Sequence, residues 1–337
     1  MDLLQKKIMQ TLNLFYEDPD PDRWFKYDHI LRKTVRRIVR GKPKIGGQMM
    51  VALELMKGLD KLGIPYRFND YNYAKKNSNE LIGVIGKPHL LKTKNFKNPI
   101  LFGASVFSHP LDAPNLLQDY PNIKRILVPG DWMRDMFIPY YGEIVQSWPV
   151  GINTYKWNQS IKKTPQFDFL IYDKIRWNHD IYEKTIITPI KQKLTAMGLT
   201  YTTIVYGEYK PEELVEKVAS SRAAIFLCEH ETQGLAYQQI LASNTPIMAF
   251  DQQEYWLDPQ YYPDTIKYGP VSSVPYWDER CGLKFKDFVD FSSKISDFMN
   301  KLEHQKFNPE KYISENLTLE KCAQDYANIY HQVAKSL

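Results

Sequence analysis

No apolar run reaches the roughly 18 residues that a membrane-crossing helix needs, and no charged-then-apolar leader opens the chain. The expectation is a protein that neither spans a membrane nor carries a signal peptide. Cysteine is scarce: Cys228, Cys281 and Cys322 are odd in number and far apart. That argues against a disulfide framework and for reduced thiols in a cytoplasm-like compartment. No Cys/His spacing suits zinc. There is also no short-period repeat, no low-complexity tract and no basic stripe interleaved with aromatics, so a nucleic-acid partner is not expected.

What is present is enough for two ordinary domains. The chain has 337 residues, 43% hydrophobic and 14% aromatic, which can fill two cores. The net charge of +5 is concentrated between Arg32 and Lys44 and is a local feature.

The most informative stretch is 222–250. Ala223 to Leu227 is a continuous apolar run bounded by turn residues and reads as a short buried strand. Cys228 to Gln233 is a polar turn. A helix opens at Gly234 and runs to about Ser243, with Tyr237, Ile240 and Leu241 at spacings of three and four, and a second strand starts from Pro246. This is half of a βαβ unit. Its helix N-terminus has unpaired N–H groups and the positive end of the dipole, which suits a phosphate. Glu231 before the helix and Gln239 within it, on the side of Leu235, can accept hydrogen bonds from sugar hydroxyls. An ordinary βαβ turn with solvated polar residues makes the same pattern.

With Glu231, Gly234, Leu235, Ala242 and Pro246 in place, the stretch resembles the signature of the retaining glycosyltransferase family of glycogen-synthase-like and bacterial mannosyl- and glucosyltransferases (family 4-like). In that family a second glutamate stands where this chain has Gln239. The resemblance implies that Glu231 contacts the transferred sugar, that Gly234 and Leu235 give backbone N–H groups to the diphosphate, and that Gln239 reaches the ribose. An amide there accepts one hydrogen bond from a hydroxyl but brings no charge.

Earlier in the chain, residues 6–16 read as an opening strand. Asp18, Asp20 and Asp22 follow it, either as a turn capping the next helix or as the metal-binding aspartates of the other main glycosyltransferase fold. Residues 28–40 form a basic amphipathic helix with Leu31, Val35 and Ile38 on one stripe and Lys33, Arg36, Arg37 and Arg40 on the other face. That face is either simply solvated or a contact for an anionic acceptor or a membrane surface. Gly46 and Gly47 open a helix with Met50, Leu53, Leu55, Met56 and Leu59 as its apolar face. The resemblance places such a glycine pair beside donor or acceptor. Segments 81–88 and 99–107 are buried-strand candidates, each followed by a histidine, His89 and His109. A histidine such as His109 in a proline-rich loop is commonly structural, whereas related enzymes place one near the transferred sugar.

Polar residues 158–166 mark a domain boundary, and the resemblance makes 1–157 an N-terminal Rossmann-like acceptor domain, 158–310 a C-terminal nucleotide-sugar domain and 311–337 a final helix. The resemblance folds that helix back on the first domain, where Tyr326 and Tyr330 at helical spacing would anchor it. The second domain starts with a strand ending near Tyr172, followed by Lys174 and Arg176, where the family carries cations for the diphosphate. Tyr206 and Gly207 end a later strand beside the expected nucleoside pocket. A helix is expected over 181–197, an irregular aromatic loop after Phe250, and helical periodicity from Phe285 to Leu302.

The fold that the resemblance implies is α/β, two doubly wound Rossmann-like domains facing across a cleft, the glycosyltransferase B fold. The resemblance implies a cytoplasmic, metal-independent, retaining transferase with a nucleotide-sugar donor and a glycan or lipid-linked acceptor. It needs no cofactor and has an option of peripheral membrane contact through helix 28–40. Glu231 and His109 are the catalytic candidates, and Lys174, Arg176, Tyr206, Gly207, Gly234, Leu235, Gln239, Gly46 and Gly47 the donor-binding ones. The competing readings are a nucleotide-sugar-binding module without catalysis and a metal-dependent transferase using Asp18, Asp20 and Asp22.

Overall fold

Short apolar runs become parallel strands because each is buried on both faces by helices. In the computed structural model, which describes residues 10–18, 47–104 and 106–337, these strands form two sheets. The chain divides into two compact units. One comprises the described residues up to Pro129 together with Phe137–Val150 and Glu320–Leu337; the other comprises Gly130–Met136 and Gly151–Leu319. Helix 28–40, Gly46, Asp20 and Asp22 lie outside the described residues.

The first unit holds a six-stranded sheet of β1 (Leu12–Phe15), β2 (Tyr66–Phe68), β3 (Ile82–Val84), β4 (Ile100–Phe102), β5 (Ile123–Val128) and β6 (Val145–Ser147), ordered β2-β1-β3-β4-β5-β6. Every neighbouring pair is parallel. The helix Leu319–Lys335 belongs to this unit. The Trp148 indole donates to Cys322 O at 2.9 Å, and the Tyr330 hydroxyl accepts from Asn13 N at 3.2 Å and donates to Leu81 O. These bonds satisfy polar atoms that burial would otherwise leave unpaired.

The second unit holds a five-stranded parallel sheet of β7 (Phe167–Asp173), β8 (Tyr201–Val205), β9 (Ser221–Leu227), β10 (Ile247–Phe250) and β11 (Gly282–Phe285), ordered β11-β10-β9-β7-β8. Phe169, Ile171, Ile190, Ile225, Phe250, Phe291 and Phe298 are fully buried in one cluster on it. Strand β11 has no counterpart in the sequence reading. Its first residue, Gly282, has φ +139°, and a Cβ there would overlap Ile247 O on the neighbouring strand, so only glycine lets this edge strand close on β10. The helix expected over 181–197 is split: a π-helical stretch, Glu183–Ile187, separates His179–Tyr182 from Thr188–Ala196. Pro189, lacking an N–H, is the local reason for the departure from α-helical bonding.

In this second sheet the chain runs from β7 to β8 on one side and then crosses to β9 on the other. That reversal leaves a crevice beyond the carboxyl ends of β7 and β9, the usual ligand position in an open α/β sheet.

Candidate functional site

At that reversal β7 and β9 end in register, Asp173 opposite Leu227, and one more ladder bond runs from Lys174 N to Leu227 O at 2.7 Å. Beyond it the two chains supply the site. Lys174 forms an ion pair with Glu231, with side chains only 11% and 9% exposed. The turn 228–233 that carries Glu231 is fastened on all sides. Glu231 N donates to Ser272 O at 2.9 Å, Glu231 O accepts from the Trp132 indole at 2.9 Å, and the Cys228 thiol donates to His230 O. The side chain is thus aimed by a backbone that has little freedom to move.

Glu229 fixes the facing loop. Its Oε1 accepts from Arg176 N and Trp177 N, both at 2.8 Å. The Arg176 guanidinium donates to His230 O at 2.9 Å and lies 4.4 Å above the Trp177 ring. His230 is buried among aromatic rings, stacked on Trp177 and edge-on to Trp132 and Trp256. Burial, together with the cations of Arg176 and Lys174, pushes its imidazole well below the usual histidine range. Burial by itself lowers the Lys174 ammonium, but the adjacent Glu231 carboxylate reverses this and holds it above its ordinary value. The Cys228 thiol is pushed up to about 12, first by burial and then by Glu231, so it is an inert thiol.

The helix Leu235–Ala242 starts directly after this turn. Gly234 is its cap, with φ +70°, and no side chain caps the helix. A Cβ at Gly234 would overlap the ring of Tyr237, which is fully buried and accepts from Tyr276 N at 3.0 Å. The N–H groups of Leu235 and Ala236 meet no acceptor among the described residues, as expected of a first helical turn that ends at a crevice. Gln239 is half-buried one turn on. Tyr206 is 52% exposed, its ring 4.6 Å from the Lys174 ammonium, and Gly207 follows in a turn with φ +86° and open space where a Cβ would stand.

The remaining candidates fall elsewhere. His109, in the first unit, is 2% exposed; its Nδ1 accepts from Leu111 N at 3.1 Å and caps the short helix Pro110–Asp112, and burial lowers its pKa. Gly47 is the first residue of the helix Gly47–Leu62. Asp18 accepts from the Tyr16 hydroxyl at 2.5 Å. A metal-capable group among the described residues is a different one: Asp173, His179 and Glu183 offer atoms within 4.8 Å of one another. Protein donors already occupy them, Ile175 N and His179 Nε2 on Asp173 and the Thr188 hydroxyl on Glu183. By strand alternation Asp173 faces away from Lys174. Sequence reasoning missed Glu229, His230, Trp132, Trp177 and Trp256. The Glu-His-Glu run at 229–231 was the available signal.

Solved structures that resemble this chain agree on its architecture. A glycosyltransferase involved in avilamycin A biosynthesis superposes with a TM-score of 0.54 at 10% identity, over 97% of this chain and 98% of its own. A sucrose-phosphate synthase from Thermosynechococcus elongatus gives 0.53 at 12%, over 97% and 100%, and a lipopolysaccharide outer core galactosyltransferase in its apo form gives 0.53 at 10%, over 95% and 99%.

The chain has the glycosyltransferase B fold.

No protein-family model and no curated protein matches it by sequence. Glycosyltransferase B folds are built from two parallel-sheet α/β domains, here of six and five strands, so the likeness is one of architecture. At such identities function has to be argued from the site. No helix among the described residues is long and apolar enough to cross a membrane.

Proposed function

We propose that the chain is a hexosyltransferase that moves a sugar from a nucleoside diphosphate sugar to a glycan or lipid-linked acceptor, with retention and without a divalent cation. One observation carries this reading: at the strand-order reversal between β7 and β9, the buried Lys174–Glu231 pair is formed on the turn that leads directly into the Leu235–Ala242 helix, whose first N–H groups meet no acceptor among the described residues. A diphosphate at that helix start takes hydrogen bonds from Leu235 and Ala236 and gains from the dipole. Lys174 and Arg176 meet the charge that grows on the departing phosphate, the role a metal fills in other transferases. Glu231 holds a hydroxyl of the transferred sugar, Gln239 the ribose, and Tyr206 and Gly207 flank the nucleoside. His109 and the Gly46–Gly47 pair serve the side of the first unit, and the basic segment 28–40, which lies outside the described residues, a peripheral membrane contact at the cytoplasmic face. With no carboxylate among the described residues placed as a covalent nucleophile, the departing phosphate takes the acceptor's proton on the same face.

The reading is supported by the fold and by what the resembling structures are named, two of them glycosyltransferases. Its test is calorimetric titration with UDP and GDP, followed by release of nucleoside diphosphate from a panel of sugar donors and NMR of the product's anomeric configuration. Failure of both nucleotides to bind ends the reading. Binding without turnover would favour the inert module, whose specific support is the neutral Gln239. The variant Gln239→Glu separates the two, since a charged acceptor at the ribose should tighten nucleotide binding about tenfold, and a loss instead means that the amide is matched to its ligand.

A further inference from the structure

Two short helices of the first unit, Tyr71–Lys76 and His89–Lys94, carry a surplus of positive charge. Residues 71–98 contain six lysines, no arginine and a single acid, Glu80, so this stretch alone matches the +5 of the whole chain. It is separate from the basic segment 28–40. Acids elsewhere in the chain offset both.

The fold gathers these lysines on one face. Buried Asn98 donates from its amide to Ala74 O at 3.2 Å and Asn77 O at 2.9 Å, the carbonyls on either side of the Lys75–Lys76 pair. Lys97 is thereby held beside the end of the first helix. The Phe96 ring stacks on Tyr71 with centroids 6.2 Å apart, and the Lys94 ammonium lies 4.4 Å from the centre of the same Tyr71 ring. Lys75, Lys76, Lys92 and Lys97 are exposed and form no ion pair among the described residues. The acids nearby are engaged: Glu17 pairs with Lys94 at 3.0 Å, Glu80 accepts from the Tyr73 hydroxyl at 2.9 Å and the Asn13 amide at 3.1 Å, and Asp70 caps the first helix through Tyr73 N at 2.9 Å.

Its place on the sheet separates this face from a substrate site. Lys97 stands shortly before β4, and Asn122, directly before β5, donates from its amide to Phe96 O at 2.9 Å and Asn98 O at 2.7 Å. That is the amino-terminal edge of the sheet, whereas an open α/β sheet holds its ligands beyond the carboxyl ends of its strands. Composition then selects the partner. A nucleic acid or an acidic protein is gripped in a fixed geometry, for which the planar fork of arginine is suited, and the nearby Arg67 is already laid over the Tyr73 ring at 3.8 Å and bonded to Asn13. A fluid layer of anionic headgroups has no fixed geometry and asks only for point charges on long flexible stems, which lysine supplies. Phe68, exposed at the end of the edge strand β2 and just before the first helix, adds an apolar contact of the kind that settles into such a layer.

We propose that this lysine face docks the protein on an anionic phospholipid surface. It deepens the membrane part of the reading above and rests on it, while naming a different surface, one made of described residues. Near such a surface each lysine strengthens binding roughly fivefold.

The test is co-sedimentation of the full chain with vesicles of phosphatidylcholine, alone or mixed with phosphatidylglycerol. Binding is expected only with the anionic lipid and should be mostly lost in about 1 M salt, where charges are screened beyond about 3 Å. The combined variant Lys75→Glu, Lys76→Glu, Lys92→Glu and Lys97→Glu should weaken it about 100-fold or more, with wild-type circular dichroism and, if UDP or GDP binds, wild-type affinity for it. A second variant, Arg36→Glu, Arg37→Glu and Arg40→Glu, tests segment 28–40 separately. Loss of binding in the lysine variant supports this face whether or not the arginine variant loses it too. The proposal is overturned if anionic vesicles are not bound, or if the folded lysine variant binds them as well as the natural chain, and loss in the arginine variant alone would leave the contact of segment 28–40 standing. It is also overturned if dissolved polyglutamate binds as tightly as the vesicles, which would assign the face to an acidic protein. Failure of UDP and GDP to bind counts against the transferase reading and leaves the vesicle result as it is.

Discussion

The Trp256 indole donates to Nε2 of His230 at 2.8 Å. Tryptophan has no acceptor, so this bond requires an unprotonated Nε2 and makes His230 the neutral Nδ1–H tautomer. The bond ties the aromatic chain after β10 to the turn that carries Glu231.

A pH dependence of stability follows from it. The folded-state pKa of His230 lies well below the ordinary value of 6.5, so as pH falls below about 6.5 the unfolded chain takes up a proton that the folded chain refuses. Stability is therefore lost from that point downward. Urea midpoints measured from pH 7.5 to 5 should fall more steeply for the natural chain than for His230→Gln, which has no proton to take up. Parallel slopes would mean that His230 does not titrate in this way.

Removing one partner of the Lys174–Glu231 pair should cost more than removing both. Glu231→Ala leaves a buried ammonium unpaired, which costs about 3 kcal/mol or more, whereas Lys174→Met combined with Glu231→Leu should recover most of the stability. Turnover should fall more than ~100-fold in the single variant and stay low in the double one. Recovery of activity together with stability would show that the pair serves only folding.

Gly234→Ala should be disproportionately damaging for so small a change. Alanine is strained at φ +70°, and its methyl group overlaps the ring of Tyr237, which is fully buried and cannot swing aside. We expect a loss of about 2 kcal/mol or more, read by thermal and chemical denaturation. An unchanged melting temperature would show that the helix start can relax.

Chelation should leave activity intact. On the proposed reading Lys174, Arg176 and the helix start meet the charge of the diphosphate, and the Asp173, His179 and Glu183 side chains are already bonded to protein groups. Release of nucleoside diphosphate should be the same within about twofold with EDTA as with added manganese. Activity that appears only with the metal would move the chemistry to a cation.

Much of this was legible in the residues themselves. The apolar run Ala223–Leu227 is a strand because its residues are buried on both faces, and Tyr237, Ile240 and Leu241 sit at helical spacing and are fully buried. Such readings succeed because burial leaves a periodicity that any short window carries. The four residues of β11 carry no such mark. Their place depends on the close approach of Gly282 to Ile247, a contact between segments 35 positions apart in the sequence.

By itself, then, the sequence determined the buried strand Ala223–Leu227 and a glycine-opened helix preceded by a carboxylate, because those are local patterns of burial and backbone preference. Only the tertiary structure decided that Lys174 and Glu231 meet and that Glu229 fastens the opposite loop. Each of these depends on which strands lie side by side and in what register. The strand order of a sheet is chosen by the packing of the whole chain, and no short stretch of residues contains it.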